Sequence, residues 1–310
     1  MNFSIVVAAT NHPPTIGECV AAIRAAMAHG DELIVVDEIA DRSPAHVRNV
    51  GAARARRDVL VFVDADVVVH SDALDRLRAA YVADLELVAA FGSYDDRPPP
   101  GIVSSFRNLL HHHVHHEGAG TTQTFWAGLG AIRRDAFEQV GGFDAQRYPR
   151  PMIEDVELGL RLSSAGHRIV LMPEVQGRHL KCWTLRAMLS CDLHARGIPW
   201  TRLLIERREI PATLNLGWRH RATALIVLAA PAAALATRRP FALGIGVAAM
   251  IALNGRFYAL LLRRGGVRLT VCGTALHVLH HATAVSAMAC GLIEATAGRF
   301  SRNALTILLR

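Results

Sequence analysis

Two short acidic groups carry the strongest chemical potential in this chain of 310 residues. Asp64-Ala65-Asp66 follows the apolar run Val59–Val63. Carboxylates one residue apart at the end of a strand can both reach one divalent cation and a phosphate oxygen, and hard oxygen ligands suit Mg²⁺ or Mn²⁺. Such a triplet also occurs by chance in many loops. Glu154-Asp155 opens the second group, with Glu157 and Arg161 behind it. A helix start favours acids, and Glu157 and Arg161, four apart, form an ordinary helix-face pair. That accounts for Glu157 but not for two adjacent acids after Arg150-Pro151-Met152-Ile153. In that place Asp155 has the chemistry of a general base aimed at an acceptor hydroxyl.

Other residue types offer less. His111, His112, His113, His115 and His116 fall within the run Phe106–His116, which reads as a helix. Imidazole is a common metal ligand, but five in one helical stretch cannot all face one ion, so the run reads as a polar, substrate-lining or interfacial helix. Trp183 and Trp200 suit either a sugar face or a membrane interface, with the interface favoured. His277, His280 and His281 read as helix-packing residues. The five cysteines are scattered and form no CxxC pair, so no disulfide framework or zinc site is expected and a reducing compartment fits.

The elements that must position these groups alternate. Ser4–Ala9 reads as a strand stopped by Thr10-Asn11-His12-Pro13-Pro14. Ile16, Val20, Ile23 and Met27 then recur at helical spacing up to Gly30. Leu33–Val36 is a second strand ending at Asp37-Glu38, Ala45–Arg57 a helix, and Val59–Val63 a third strand ending at the DAD triplet. Continuous apolar strands alternating with helices predict an α/β sheet of mostly parallel strands with helices on both faces. In such sheets ligands bind beyond the carboxyl ends of the strands, where Thr10-Asn11, Asp37-Glu38 and Asp64-Asp66 stand. Further along, Thr121–Ile132 reads as a strand with a glycine turn, Arg134–Val140 and Glu154–Ala165 as helices, and Arg168–Met172 as a strand.

Half of the chain, 51%, is hydrophobic, and the mean hydropathy is +0.24. This excludes a disordered or collagen-like chain. Residues 1–221 hold 26 of the 27 acids and 25 of the 34 Lys and Arg, whereas residues 222–310 hold nine Arg and one acid, Glu294. A nearly neutral body thus joins a basic, apolar tail. That composition suits a membrane with anionic headgroups, and nothing resembles a nucleic-acid-binding module. Ala222–Thr237, Pro240–Gly255 with Phe257–Leu262, and Leu269–Ile293 lack charge. They predict two or three membrane segments, one of them re-entrant or interfacial, because crossing a bilayer takes about 20 residues. The alternative is a buried helical domain of a soluble protein. No signal peptide is expected, since Phe3–Ala9 runs straight into a strand.

Taken in order, the runs SIVVAATNHPP (4–14), VVDE (35–38), RNVGAARARRDVLVFVDADV (48–67), FWAGLGAIRRDAFEQVGGFD (125–144) and IEDVELGLRLSSAGHRI (153–169) resemble the family-two glycosyltransferases. These are inverting, nucleotide-sugar-dependent enzymes of the GT-A fold. The later HLKCWTL and ARGIPWTRLL runs and the apolar tail resemble a membrane-associated branch. The resemblance implies a Rossmann-like GT-A domain over residues 1–205, a juxtamembrane connector over 206–221, membrane helices over 222–298 and a basic tail over 299–310. It also implies roles, residue by residue. Thr10, Asn11, Asp37 and Arg48 match nucleotide-binding positions, though Arg48 also fits a solvated helix face. Asp64, Asp66 and His179 match the site of a divalent metal, Mg²⁺ or Mn²⁺, and the diphosphate, with Asp66 the direct ligand. Trp126, Gly128 and Glu154 match the donor and acceptor lining, and Asp155 the base. Arg196 and Trp200 resemble, at altered spacing, pairs that hold acceptor or diphosphate in membrane synthases.

The implied activity is metal-dependent, inverting transfer of a sugar to a hydroxyl acceptor that is lipid-linked or presented at a membrane surface. The implied location is the cell membrane, with the catalytic domain on the cytoplasmic face, where nucleotide sugars are made. A hairpin over 222–262 would set Arg219 and Arg221 on the same side as Arg263, Arg264 and Arg268, as the positive-inside tendency asks, but would put Arg238-Arg239 outside. A shallow re-entrant pair is the alternative. Three rival functions stand beside this one. A dinucleotide-binding oxidoreductase would need a GxGxxG turn where the sequence has TNHPPT. A polyprenyl-phosphate sugar synthase would use a phosphate nucleophile and need no base. A non-catalytic membrane protein with a degenerate transferase domain would not need the acids that are present.

Overall fold

The computed structural model describes residues 1–10, 12–37, 42–208 and 217–308, with side chains described up to residue 296. The chain forms two compact units, Met1–Cys182 and Trp183–Arg310.

In the first unit, β1 (Phe3–Ala8), β2 (Glu32–Val36) and β3 (Val59–Asp64) are the apolar runs read from the sequence, and they pair in parallel with β1 in the middle. Helices α1 (Ile16–Ala26) and α2 (Pro44–Arg54) connect them. Pro44 stands in the first turn of α2, and the Ser43 hydroxyl accepts from the His46 N–H, so the helix start is both preset and capped. Alternate residues of β1 point to opposite faces. Phe3, Ile5 and Val7 join Cys19 and Ile23 of α1 and Leu74, Leu77 and Tyr81 of α3 (Ala73–Ala83) in one core. On the other face Gly51 of α2 lies so near Val6 that an added Cβ would be 2.3 Å from its Cγ1. There Phe62 packs on Phe137 and Phe143 at ring distances of 5.5 and 5.2 Å.

Beyond β3 the sheet becomes mixed. The order is β2-β1-β3-β7-β5-β8-β4, with β4 (Val67–Val69), β5 (Leu87–Tyr94), β7 (Leu129–Arg133) and β8 (Arg168–His179). β7 runs antiparallel to both β3 and β5, and β8 runs parallel to β5. The stretch expected as one strand over Thr121–Ile132 is two: β6 (Gly120–Thr122) pairs with β8, and β7 follows after a loop. β1, β2, β3, β5 and β8 run one way and β4, β6 and β7 the other, so most strands are parallel in direction, as expected. β8 continues past Pro173, where the sequence pattern stops. Its register with β5 shifts between Phe91 and Ser93, so the proline falls where no ladder N–H is required. Helices α4 (Ile102–Glu117), α5 (Arg134–Gln139) and α6 (Glu154–Ser164) complete the unit.

The second unit is helical. α7 (Leu185–Ser190), a π-helical turn (Cys191–Gly197) and α8 (Ile198–Arg207) precede α9 (Trp218–Thr237), α10 (Phe241–Leu253) and α11 (Gly255–Leu308). α11 is broken at Gly266, whose φ of 62° a residue with a side chain rarely adopts. Two helices, Trp218–Thr237 and Gly255–Thr296, are long and apolar enough to cross a membrane. In the first of them only 6% of the apolar window is buried. Leu225, Leu228 and Leu235 stand exposed there, unlike the core helix of a soluble domain. His277, His280 and His281 are buried, with His280 bonded to Asp192 at 2.9 Å and His277 to the Tyr258 hydroxyl at 3.0 Å. Half of the connector expected over 206–221, residues 209–216, lies outside the described residues, as do the side chains of the tail expected over 299–310.

Candidate active site

The ends of β1, β2 and β3 share one edge of the sheet. Val36 and Asp64 both pair with Ala8, so Asp37 and Asp64 flank β1 about two strand spacings, roughly 10 Å, apart. Thr10 follows β1 on that edge, Asp37 is exposed, and Asn11 lies outside the described residues. The turn after β3 is fastened from several directions. The Asp64 N–H donates to the Gly128 carbonyl at 3.1 Å, and the Leu180 N–H to the Asp66 carbonyl at 2.8 Å. The Thr15 hydroxyl donates to the Ala65 carbonyl at 2.8 Å, a tie for which the sequence carried no pattern.

Arg48 is the hinge of the site. It is buried on α2, not on a solvated face. One guanidinium nitrogen donates to Asp64 Oδ1 at 2.6 Å, and the other to Glu154 Oε1 at 2.9 Å. Burial opposes its charge, but Asp64, Glu154 and Asp155 together hold it firmly protonated. The acids read separately from the sequence, 90 residues apart, therefore meet around one cation. Glu154 also accepts from the Met152 N–H at 2.8 Å. Asp155 accepts from the Val156 N–H at 2.8 Å and from the Ala127 N–H at 3.2 Å. Burial and then the neighbouring Glu154 charge push its carboxyl up to about 6, against Arg48 and the two N–H donors.

Ala127 belongs to the loop between β6 and β7, which also holds Trp126 and Gly128. A Cβ on Gly128 would lie 2.3 Å from the Trp126 ring, and one on Gly159 of α6 would lie 2.2 Å from the Phe125 nitrogen. Both glycines thus allow this loop to lie between β3 and α6. Glu157 and Arg161 have the structural role expected of them. Arg161 bonds Glu157 at 2.8 Å and also donates to the carbonyls of Val140 and Gly142.

On the other side of the DAD turn, His179 Nε2 stands 3.5 Å from Asp66 Oδ2. Burial raises the Asp66 carboxyl, but His179 and Lys181 outweigh it and hold it below the usual range. The His179 ring stacks flat on Tyr94, with centroids 4.1 Å and planes 8° apart. Tyr94 also touches Trp126 at 4.9 Å and His111 at 4.3 Å, and His111 and His115 both contact Trp126. A wall of aromatic and imidazole rings therefore borders Asp66. Tyr94, at the end of β5, is the member that sequence reasoning missed. Its one signal was an apolar run ending in Ser93-Tyr94-Asp95-Asp96.

Asp66 and His179 fit a divalent ion that takes few protein ligands and completes its shell with phosphate oxygens and water. Asp64 is engaged by Arg48, and among the described residues no three His, Cys, Asp or Glu side chains converge on one ion. Arg196, on the π-helical turn, and Trp200, on α8, belong to the second unit.

Residues 47–290 match the sequence model of the family described as Glycosyl transferase family 21. The mannosyltransferase PcManGT from Pyrobaculum calidifontis, solved with GDP-Man and Mn²⁺, is 19% identical, with 94% of this chain and 86% of that one covered and a TM-score of 0.52. TarS 1–349 of S. aureus, solved with UDP-GlcNAc, is 16% identical over 92% of this chain and 91% of that one, with a TM-score of 0.48. No curated protein sequence matches the chain.

Proposed function

The chain belongs to glycosyl transferase family 21, and from that premise we propose that it transfers a sugar from a nucleotide-sugar donor to an acceptor hydroxyl in one inverting displacement. The observation that carries this reading is the bridge from Arg48 to Asp64 and Glu154. It joins the carboxyl end of β3, a place suited to a diphosphate, to the helix start that holds Asp155. The PcManGT structure contains GDP-Man and Mn²⁺, which supports a nucleotide-sugar donor and a divalent ion here. Asp66 and His179 would hold Mg²⁺ or Mn²⁺, which when bound supplies positive charge to the departing diphosphate.

The protein's own groups do the rest. Thr10 and Asp37, at the ends of β1 and β2, hold the nucleotide, and Asn11 is assigned to the same role from the sequence alone. Trp126 and Gly128 line the sugar and acceptor side, with Arg196 and Trp200 assigned to acceptor or diphosphate. Asp155 takes the acceptor proton as that oxygen bonds to the anomeric carbon. The bond from that carbon to the diphosphate oxygen breaks, and the nucleoside diphosphate leaves from the opposite face. A carboxyl held near 6 is ionised at neutral pH yet basic enough to share a developing proton. Arg48 acts through Asp64, Glu154 and Asp155 and is a positioning residue.

The catalytic chemistry is assigned to the first unit, and membrane attachment to the apolar helices of the second. The acceptor is then lipid-linked or presented at the membrane surface, with the catalytic domain on the cytoplasmic face. The test is a nucleotide-release screen over donor sugars with membrane lipid extracts as acceptors, followed by NMR of the product's anomeric centre. Acceptor-dependent release with an inverted anomer is expected. A retained anomer would overturn the single displacement.

A further inference from the structure

Two of the five histidines on α4, His111 and His115, belong to the wall beside Trp126. His112 and His116 form a second pair one helical turn apart, with ring centroids 4.0 Å apart, and the proposed reaction does not use them. Their ring nitrogens are set by their partners. His112 Nδ1 lies 2.8 Å from the Tyr94 carbonyl oxygen. A carbonyl only accepts, so the proton sits on Nδ1 and the lone pair on Nε2. His116 Nε2 lies 3.3 Å from the Gln176 amide nitrogen, a donor, so it carries a lone pair, which this long bond at the surface occupies and a metal ion would take over from Gln176. Metal-binding histidines are typically anchored in the way His112 is, through the other ring N–H to a carbonyl. Partial burial of the imidazole is the largest cause that lowers His116 to about 4, so at neutral pH its ring is uncharged. His116 is exposed and His112 half-buried, so an ion can enter from solvent.

We propose that His112 and His116 chelate a borderline transition ion, of the Zn²⁺, Ni²⁺ or Cu²⁺ class, through their Nε2 atoms, with water completing the shell. Residues four apart on a helix share a face and converge readily on one ion. Imidazole pairs select such ions, whereas the carboxylate-bearing site at Asp66 suits Mg²⁺ or Mn²⁺, so the two places sort ions by ligand type. The pair also has a mechanical link to the reaction. His112 is anchored on the backbone of Tyr94, and the Tyr94 ring stacks on His179. An ion drawn onto His112 therefore acts on the ring that positions His179 and lowers turnover. This second consequence rests on the role proposed above for His179; the chelate itself does not.

Calorimetric titration of the full chain in detergent with ZnCl₂, at saturating Mn²⁺, tests both parts. The parent should show one saturable Zn²⁺ site that His116→Gln weakens by about tenfold or more, while His113→Gln keeps it. Because residue 116 is exposed, the Gln variant should melt with the parent and turn over normally without Zn²⁺. Equal Zn²⁺ affinity in parent and His116→Gln overturns the chelate. Zn²⁺ should slow turnover of the parent and spare His116→Gln; equal slowing of both overturns the link to His179. Absence of transferase turnover in every protein would count against the proposed function, and the binding arm would still read the chelate.

Discussion

Arg48→Lys keeps a positive charge on α2 but replaces a planar fork with a single ammonium, which cannot hold Asp64 and Glu154 together. The consequence falls on Asp155. Burial and Glu154 raise its carboxyl to about 6, and Arg48 is the nearby cation that opposes them, so weakening Arg48 moves the carboxyl further up. The base must be ionised, so turnover falls as pH drops through that value. At a pKa of about 6 the carboxyl is about nine-tenths ionised at pH 7; one unit higher it is about half ionised. The acidic limb of kcat/KM should therefore lie near 6 in the parent and move upward in the Lys variant, with turnover largely recovered near pH 9. Arg48→Met goes further and leaves buried acids without their cation. Breaking a buried ion pair costs about 3–5 kcal/mol, a large part of a domain's stability, so that variant is read by thermal melting. An acidic limb that stays in place in Arg48→Lys would refute the coupling between Arg48 and the base.

Asp66→Ala should abolish donor turnover and remove Mn²⁺ binding measured by EPR; full activity of the parent in excess chelator would contradict this. Gly128→Ala sets a methyl 2.3 Å from the Trp126 ring. Overpacking of this kind costs about 1–3 kcal/mol, and KM for donor or acceptor should rise more than kcat falls as Trp126 is displaced. Cell fractionation should place the full-length protein with membranes. Recovery as a monodisperse, active species in the soluble fraction without detergent would overturn the assignment of Trp218–Thr237 and Gly255–Thr296 to a bilayer.

Where hydrophobic pattern and chemistry coincide in the sequence, the structure was legible. β1, β2 and β3 are short, mainly apolar runs rich in Val and Ile, and each is followed or ended by the polar residues that mark the ligand edge. The order of motifs pointed to a GT-A glycosyltransferase, and the family model that matches is that of glycosyl transferase family 21. The antiparallel entry of β7 was not legible, because strand direction depends on partners far along the chain. β5 escaped notice because Ala89, Ala90 and Gly92 dilute its apolar signal. Gly92 is small for a tertiary reason: a Cβ there would lie 2.0 Å from the Val175 carbonyl oxygen. With β5 unread, Tyr94 was unread too. Arg48 shows the same limit at the site. Four arginines on one short segment look like a solvated face, and only the approach of Asp64 and of Glu154, 106 residues away, makes one of them a buried bridge.

The general base is the central claim, and Asp155→Asn tests it most directly. The change preserves size and one accepting oxygen but removes the proton acceptor. With a donor and acceptor identified by nucleotide release, the variant's turnover should fall by about 10²–10⁴-fold, the usual contribution of a positioned base, while donor affinity stays nearly that of the parent. Turnover at the parent rate would contradict the account and favour a phosphate acceptor that needs no base.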